Sequence, residues 1–335
     1  MTAQQTTRFK NMPIRRRLWN WFTRDFLGIF QEMRWSYLPP LMVYLAAGVS
    51  GFTGIIESFF VKEQLGLSAA FLAGLAFWAG LPWALKMPLG HLVDLFWRRK
   101  AAFVYFGAGL MALSLLIMVG LTGHQQWMAS FLRLDIWYII SVLLSPVGFV
   151  LQDVVADAMT VEAVSPVDED GQPIPEATLQ RMHVTMQTLG RIAIIGGSAL
   201  VAGLGGWLAS ILSYEIMYKW SLVIPLISVL GVTLGSWTTR HQRRQLRKEG
   251  FSTQEIDKLL QTHDSLTSPN WYILGGSGLF VIMTLLLGLS DLQLKKEIIF
   301  IGSLAIIGYL IYQLVQEMAP DKRREIIGIA VIIFV

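Results

Sequence analysis

The segment Leu81–Lys100, LPWALKMPLGHLVDLFWRRK, decides the fold of this chain. It begins as an apolar helix and ends in a charged turn, where Asp94 follows Gly90 by four residues and precedes the basic residues at 98–100. A glycine one turn before a carboxylate lets a neighbouring helix approach closely. A carboxylate that faces a short basic cluster can hold two helices in a fixed relation at a membrane surface. The segment therefore predicts two membrane-spanning helices joined by a short charged turn.

The composition of the whole chain agrees with a membrane protein. Of its 335 residues 54% are hydrophobic and 15% are charged, with a mean hydropathy of +0.52, whereas soluble domains carry about 25% charged residues. Cysteine is absent, which excludes disulfides, thiolate metal sites and cysteine nucleophiles. Phosphate-loop, metal-ligand and nucleophile motifs are also absent from the sequence. We therefore expect no enzyme activity, no metal and no cofactor.

Apolar runs long enough to cross about 30 Å of hydrocarbon occur eight times. They lie at 38–61, 69–93, 101–121, 135–158, 183–209, 217–237, 271–290 and 298–316. A ninth run begins at Ile326, and its ten residues to Val335 would reach only about 15 Å as a helix. Backbone carbonyls should not end unpaired in hydrocarbon. We therefore expect the sequence to be a piece of a longer protein.

Basic residues divide unequally between the two sides of these predicted spans. Twenty Lys and Arg residues lie in the N-terminal segment and in the turns that share its side, and five lie on the opposite side. By the positive-inside rule this predicts a cytoplasmic N-terminus. The protein is thus predicted to be an integral, multi-pass protein of the inner or plasma membrane.

Four regions follow from this map. Residues 1–36 form a basic arm whose apolar residues recur at helical spacing, which favours an interfacial helix over a soluble amphipathic arm. Residues 37–237 are a six-helix bundle. Residues 238–270 are a cytoplasmic linker in which Ser252 and Glu255 form a capping box. Its basic residues suit anionic lipid and lack a nucleic-acid-binding motif. Residues 271–335 hold two further helices and the start of a third.

Charged residues inside the predicted spans are the strongest candidates for function. Asp153 and Asp157 are four residues apart, so both lie on one helix face. Each charge near a bilayer centre costs about 2.5–3.5 kcal/mol. Lys86 and Arg191 fall at a similar predicted depth, so we expect one network. It is either a substrate- or proton-linked site that lines a cavity, or an ion-pair cluster that locks the helix ends.

The opening segment resembles the signature of the major facilitator superfamily, Gly-x-x-x-Asp-basic-x-Gly-basic-basic. Gly90, Asp94, Arg98 and Arg99 match it, whereas Leu95 and Trp97 replace a basic residue and the second glycine. The resemblance implies that the four matching residues form a conformational latch. It also implies an all-α, polytopic, major-facilitator-like fold with a six-helix N-terminal half and a truncated remainder, in which 271–316 are either helices 7 and 8 or an inserted hairpin.

Two segments resemble the folate-biopterin transporter family within that superfamily over residues 40–235. The matching residues are Pro82, Trp83, Lys86, Asp153, Asp157, Ala158 and Glu162, with Met87 inserted before Pro88. Gln152 also fits the muropeptide-permease and acetyl-CoA-transporter families. The resemblance implies a monomeric secondary active transporter that moves a small organic solute, folate- or pterin-like, by ion-coupled alternating access, with a proton as the coupling ion. The alternative is a non-transporting membrane assembly factor, or a cofactor- or pigment-delivery factor, on the same scaffold.

Overall fold

The structure, a computed structural model, describes residues 19, 27–166, 172–248, 250–253, 255–256, 260, 269–288, 290, 292–316, 323 and 327–328. These residues form helices joined by short turns, and no β-strand occurs among them. The helices are α1 (Leu27–Gln31), α2 (Leu38–Val49), α3 (Gly54–Phe60), α4 (Ala69–Ala84), α5 (Lys86–Leu95), α6 (Lys100–Gly123), α7 (Gln125–Ala129), α8 (Leu134–Ala163), α9 (Glu176–Ala209), α10 (Tyr214–Ser221), α11 (Val223–Lys248), α12 (Trp271–Gly288) and α13 (Lys295–Gln316).

Among the described residues, six helical stretches are long and apolar enough to cross a membrane. They are Trp35–Leu65, Lys100–Gly123, Leu134–Ala163, Glu176–Ala209, Tyr214–Lys248 and Trp271–Gly288, and the bent pair Ala69–Ala84 plus Pro88–Leu95 would be a seventh. The predicted eighth span is helix α13, whose apolar part is Glu297–Ile306. The predicted ninth run lies outside the described residues except at 327–328. The chain is therefore an all-α, polytopic membrane protein, as its sequence predicted.

The chain forms two compact units. Unit 1 comprises residues 1–86 and 96–264, and unit 2 comprises residues 87–95 and 265–335. The predicted N-terminal arm lies mostly outside the described residues, which begin continuously at 27. In the predicted linker, Glu255 Oε2 accepts from the Ser252 backbone N–H at 2.8 Å, and Ser252 Oγ accepts from the Glu255 N–H at 3.3 Å. The capping box is therefore formed, and the helix predicted after it lies mainly outside the described residues.

Close helix contacts organise unit 1. Helix α8 packs along α6, where a Cβ atom on Gly107 would lie 2.6 Å from the carbonyl oxygen of Gly148. Further along the same interface, Ser114 Oγ donates to the Ser141 carbonyl at 2.9 Å, and Ser141 Oγ donates back to the Ser114 carbonyl at 3.0 Å. Small residues thus bring the two backbones together and satisfy their hydroxyls inside the interface.

Helix α2 packs between α9 and α11. A Cβ atom on Gly48 would lie 2.5 Å from the Ile194 carbonyl oxygen, and Ser198 Oγ donates to the Gly48 carbonyl at 3.1 Å. A side chain at position 48 would push the helices apart. This contact fixes the face that α2 presents to the interior of unit 1.

Neither the first nor the second predicted span is a continuous α-helix. The first contains a 3₁₀ turn at Ser50–Thr53, before α3, and a π-helical turn at Val61–Leu65 after it. The second is interrupted at Leu85, between α4 and α5. Pro88 has no N–H to donate to the carbonyl four residues earlier, which explains the interruption. Lys86 is therefore positioned at a helix break.

Unit 2 is a smaller helical unit in which α12 packs on α13. Asn270 Oδ1 accepts from the backbone N–H groups of Tyr272 and Ile273 at 3.1 and 3.3 Å, which caps α12. The Asn270 backbone N–H donates to His91 Nε2 at 2.9 Å. That bond ties residues 87–95 to the start of α12.

Candidate functional site

Three ionisable side chains and one phenol meet inside unit 1, and we call them the charge cluster: Lys86, Asp153, Asp157 and Tyr44. Lys86 Nζ lies 2.5 Å from Asp153 Oδ2 and 2.8 Å from Asp157 Oδ2. Tyr44 Oη donates to Asp157 Oδ1 at 2.6 Å. One ammonium thus serves two carboxylates, and the phenol holds the free oxygen of the second.

Local structure explains how these side chains converge. Asp153 and Asp157 are one helical turn apart on α8, so a single ammonium can reach both. Lys86 follows the break at Leu85 in the second predicted span. Tyr44 is held because α9 carries Gly190 beside its ring, where a Cβ atom would lie 2.8 Å from two ring carbons. Three stretches of chain that are distant in sequence therefore build the cluster.

The charged side chains of the cluster differ in how far they are exposed. The side chain of Asp153 is 13% exposed, whereas those of Lys86 and Asp157 are 41% and 49% exposed. With both carboxylates ionised, the three charged groups carry a formal charge of −1. The deeper carboxylate depends on Lys86 for compensation, and the shallower one is half-exposed. In such an arrangement the charged groups can exchange ion-pair partners without any of them being left unpaired.

The fourth residue of the predicted network is Arg191. Its side chain is exposed on α9, and it makes no ion pair with either carboxylate within the described part of the chain. Its charge does act electrostatically on the Tyr44 hydroxyl. Arg191 was predicted at the same depth as Lys86, and its place in the predicted network stays a prediction.

The four predicted latch residues are divided between the two units. Gly90 and Asp94 belong to unit 2, whereas Arg98 and Arg99 belong to unit 1. The Asp94 and Arg99 residues are exposed. Their role as a conformational latch stays a prediction.

Two further residues of the resembling segments have structural partners. Glu162 forms an ion pair with Lys100, whose Nζ also lies 4.0 Å from the centre of the Trp97 ring. Gln152 is buried, and its Nε2 donates to the Met111 sulfur at 3.1 Å. Glu162 thus links the end of α8 to the start of α6, and Gln152 faces α6.

Tyr44 is the member of the cluster that sequence reasoning missed. It lies in an otherwise apolar run, and its residue is 8% exposed. A buried phenol needs a hydrogen-bond partner, so a tyrosine inside a predicted span was the available signal. Among the described residues no group of three or more His, Asp or Glu side chains could hold a metal ion.

Comparison with known proteins found a protein of similar sequence. The chain is 26% identical over 211 residues to a folate-biopterin transporter of Synechocystis sp., across 62% of this chain and 38% of that protein. The chain thus matches less than half of the relative's length. No family model matches the sequence, and no solved structure matches it. The chain is an integral, multi-pass, all-helical membrane protein with sequence similarity to a folate-biopterin transporter.

Proposed function

We propose that the protein is a secondary active transporter that moves a small organic solute across a membrane, with the charge cluster as its coupling site. The observation that carries the proposal is the contact of Lys86 with both Asp153 and Asp157. Charges in membrane helices are costly, and they commonly mark substrate or ion pathways. The similarity to a transporter supports the same function.

The geometry suggests how coupling would work. When Asp153 takes up a proton, its attraction for Lys86 weakens, and the ammonium can remain on Asp157 alone. When the proton leaves, Lys86 must again compensate the buried carboxylate. Each protonation state thus favours a different position of Lys86 relative to α8. Alternating access requires such a bistable contact between helices.

The proposed substrate is folate- or pterin-like, and the proposed coupling ion is a proton. The relative is named for folate and biopterin. A pterin ring presents adjacent N–H donors that a carboxylate can accept in pairs, and Asp157 is the half-exposed carboxylate of the cluster. Arg191 is an exposed cation that could bind an anionic tail of the solute.

We also propose that Gly90, Asp94, Arg98 and Arg99 act as a conformational latch. The support is the resemblance of this turn to the major facilitator signature, in which a carboxylate faces basic residues. Asp94→Asn should then lower the maximal uptake rate and leave the substrate concentration for half-maximal uptake nearly unchanged. Normal maximal rate with much weaker apparent affinity would contradict the latch.

Uptake by membrane vesicles tests the proposed function. Vesicles that contain the protein should accumulate labelled folate or biopterin when an inward proton gradient is imposed, and a protonophore should abolish the accumulation. Lys86→Gln should lose it. Asp135→Asn should keep it, since Asp135 pairs with Arg133 at the other end of α8. Vesicles that hold correctly inserted protein but accumulate neither solute would favour the assembly or pigment-delivery alternative.

A further inference from the structure

A second acidic site lies in unit 1, far from the charge cluster. Glu57, on α3, accepts a hydrogen bond at Oε1 from Tyr138 Oη at 2.9 Å. Tyr138 and Tyr218 belong to one buried core cluster and are 5% and 1% exposed. Within the described residues Glu57 makes no salt bridge. Its surroundings are therefore phenolic and apolar, with no cation to compensate it.

The buried hydroxyl of Tyr218 is a second, independent feature of this region. It is fully buried and has no hydrogen-bond partner within the described part of the chain. The Tyr218 side chain packs in the same buried core cluster as Tyr138. A buried hydroxyl left without a partner is destabilising, and native proteins rarely leave one unpaired. A buried donor without a partner, in the same core cluster as the tyrosine that bonds Glu57, indicates that this site takes a further ligand.

The position of Glu57 separates this site from the charge cluster. Tyr138 and Asp153 both lie on α8, fifteen residues apart, which corresponds to about 22 Å along a helix. Glu57 follows Tyr44 by thirteen residues in the first span, about 20 Å along it. The Glu57 helix is also flanked by a 3₁₀ turn and a π-helical turn. Such π turns occur frequently at functional sites.

We propose that Glu57, Tyr138 and Tyr218 form a proton-binding site at the opposite end of unit 1 from the charge cluster. A proton from water binds the Glu57 carboxylate and yields a neutral carboxylic acid, and no other reactant is needed. A carboxylate in apolar surroundings without a cation is neutralised in this way in preference to staying charged. Tyr138 holds one oxygen of the acid, and Tyr218 contributes a buried hydroxyl without a partner in the same core cluster. The inference does not depend on transport.

Infrared difference spectroscopy on the intact protein in lipid tests this directly. Acidification should produce a carboxylic-acid C=O band that Glu57→Gln removes. Glu63→Gln is the matched control, because Glu63 is an exposed acid on the same span, and it should keep the band. Tyr138→Phe and Tyr218→Phe retain their rings and hence most of their packing. Each should change the frequency of the band, because a hydrogen-bonding hydroxyl near the acid is lost.

Two results would overturn the proposal. One is an acid band that persists unchanged in Glu57→Gln. The other is displacement of the band by sodium at constant ionic strength, which would indicate an alkali-cation site. If Glu57→Gln does not fold, the two phenylalanine variants decide the matter: a band of unaltered frequency in both would refute the site, and a change in both would support it.

Discussion

Lys86 is the residue on which the charge cluster depends. It contacts two carboxylates of unequal exposure, so its removal would leave the buried Asp153 without compensation. Removing one partner of a buried ion pair is strongly destabilising, by about 3–5 kcal/mol, although the half-exposed Asp157 lowers that figure here. An effect on activity alone cannot separate such damage from a loss of coupling. Variants that remove opposite charges together are therefore the informative ones.

Tyr44 offers a milder change to the same cluster. Tyr44→Phe removes the hydrogen bond to Asp157 and keeps the ring that packs beside Gly190. We expect a loss of about 0.5–1.5 kcal/mol in the free energy of unfolding. Thermal unfolding in detergent, followed by tryptophan fluorescence, would measure it. Tyr105→Phe is the control: Tyr105 is exposed and bonds Thr233 at 3.3 Å, so it should change little. Equal losses would contradict a special role for Tyr44.

The sequence can predict which charged residues lie at a similar level along their helices, but not which residues contact one another. Spacing along α8 placed Asp153 and Asp157 on one face, and span boundaries put Lys86 at their depth. Depth follows from counting residues along a helix, but contact also depends on how each helix is rotated about its axis. That rotation is set by packing between helices, which is why Arg191 was expected in the cluster and Tyr44 was not.

Among the helices, the interface between α6 and α8 depends on glycines. The Gly107 and Gly148 backbones approach so closely that a Cβ atom on either would lie 2.5–2.6 Å from the other's carbonyl oxygen. The chain contains 30 glycines, and many face open space. The sequence alone could not tell them apart, because an apolar run with several glycines has no single preferred face.

Gly107 and Gly109 give a matched pair on one helix. Gly107→Ala forces a methyl group against backbone and should cost about 1–3 kcal/mol of unfolding free energy. Gly109→Ala meets nothing within 4 Å, so it should be neutral or stabilise α6 by up to about 1 kcal/mol. Denaturant unfolding of both variants in the same detergent would measure the difference. Equal stability of the two would contradict the close approach of α6 and α8.

The break of the second predicted span was only partly foreseeable. Pro82 and Pro88 are visible in the sequence, but proline can kink a helix or end it. The structure ends α4 at Ala84 and restarts the helix at Lys86. The residues after the break, 87–95, belong to unit 2. A regular apolar run of 69–93 in the sequence gave no indication of that division.

For the molecule as a whole, orientation in the membrane is the first property to test. The excess of basic residues on one side predicts that Thr253 is cytoplasmic and that Ser210 faces outward. The protein has no cysteine, so Ser210→Cys and Thr253→Cys introduce single thiols at exposed positions. In intact cells an impermeant thiol reagent should label the first and not the second. The reverse pattern would invert the proposed topology.

The central claim is that Asp153 carries a coupling proton and is more than a structural partner of Lys86. Uphill accumulation and downhill exchange of labelled folate, measured in the same vesicles, separate these roles. If Asp153 couples, Asp153→Asn abolishes accumulation against a gradient but permits exchange. If the ion pair is only structural, removing both charges restores what removing one destroys.

The decisive measurement is therefore uphill accumulation by the double variant Asp153→Asn/Lys86→Gln, with Asp135→Asn as the control for an acid at the other end of α8. The account predicts that the double variant inserts and exchanges solute yet shows no accumulation, because no protonatable group remains at position 153. Accumulation restored to the level of the control would contradict the coupling role and leave Lys86 and Asp153 as an ion pair that holds helices together.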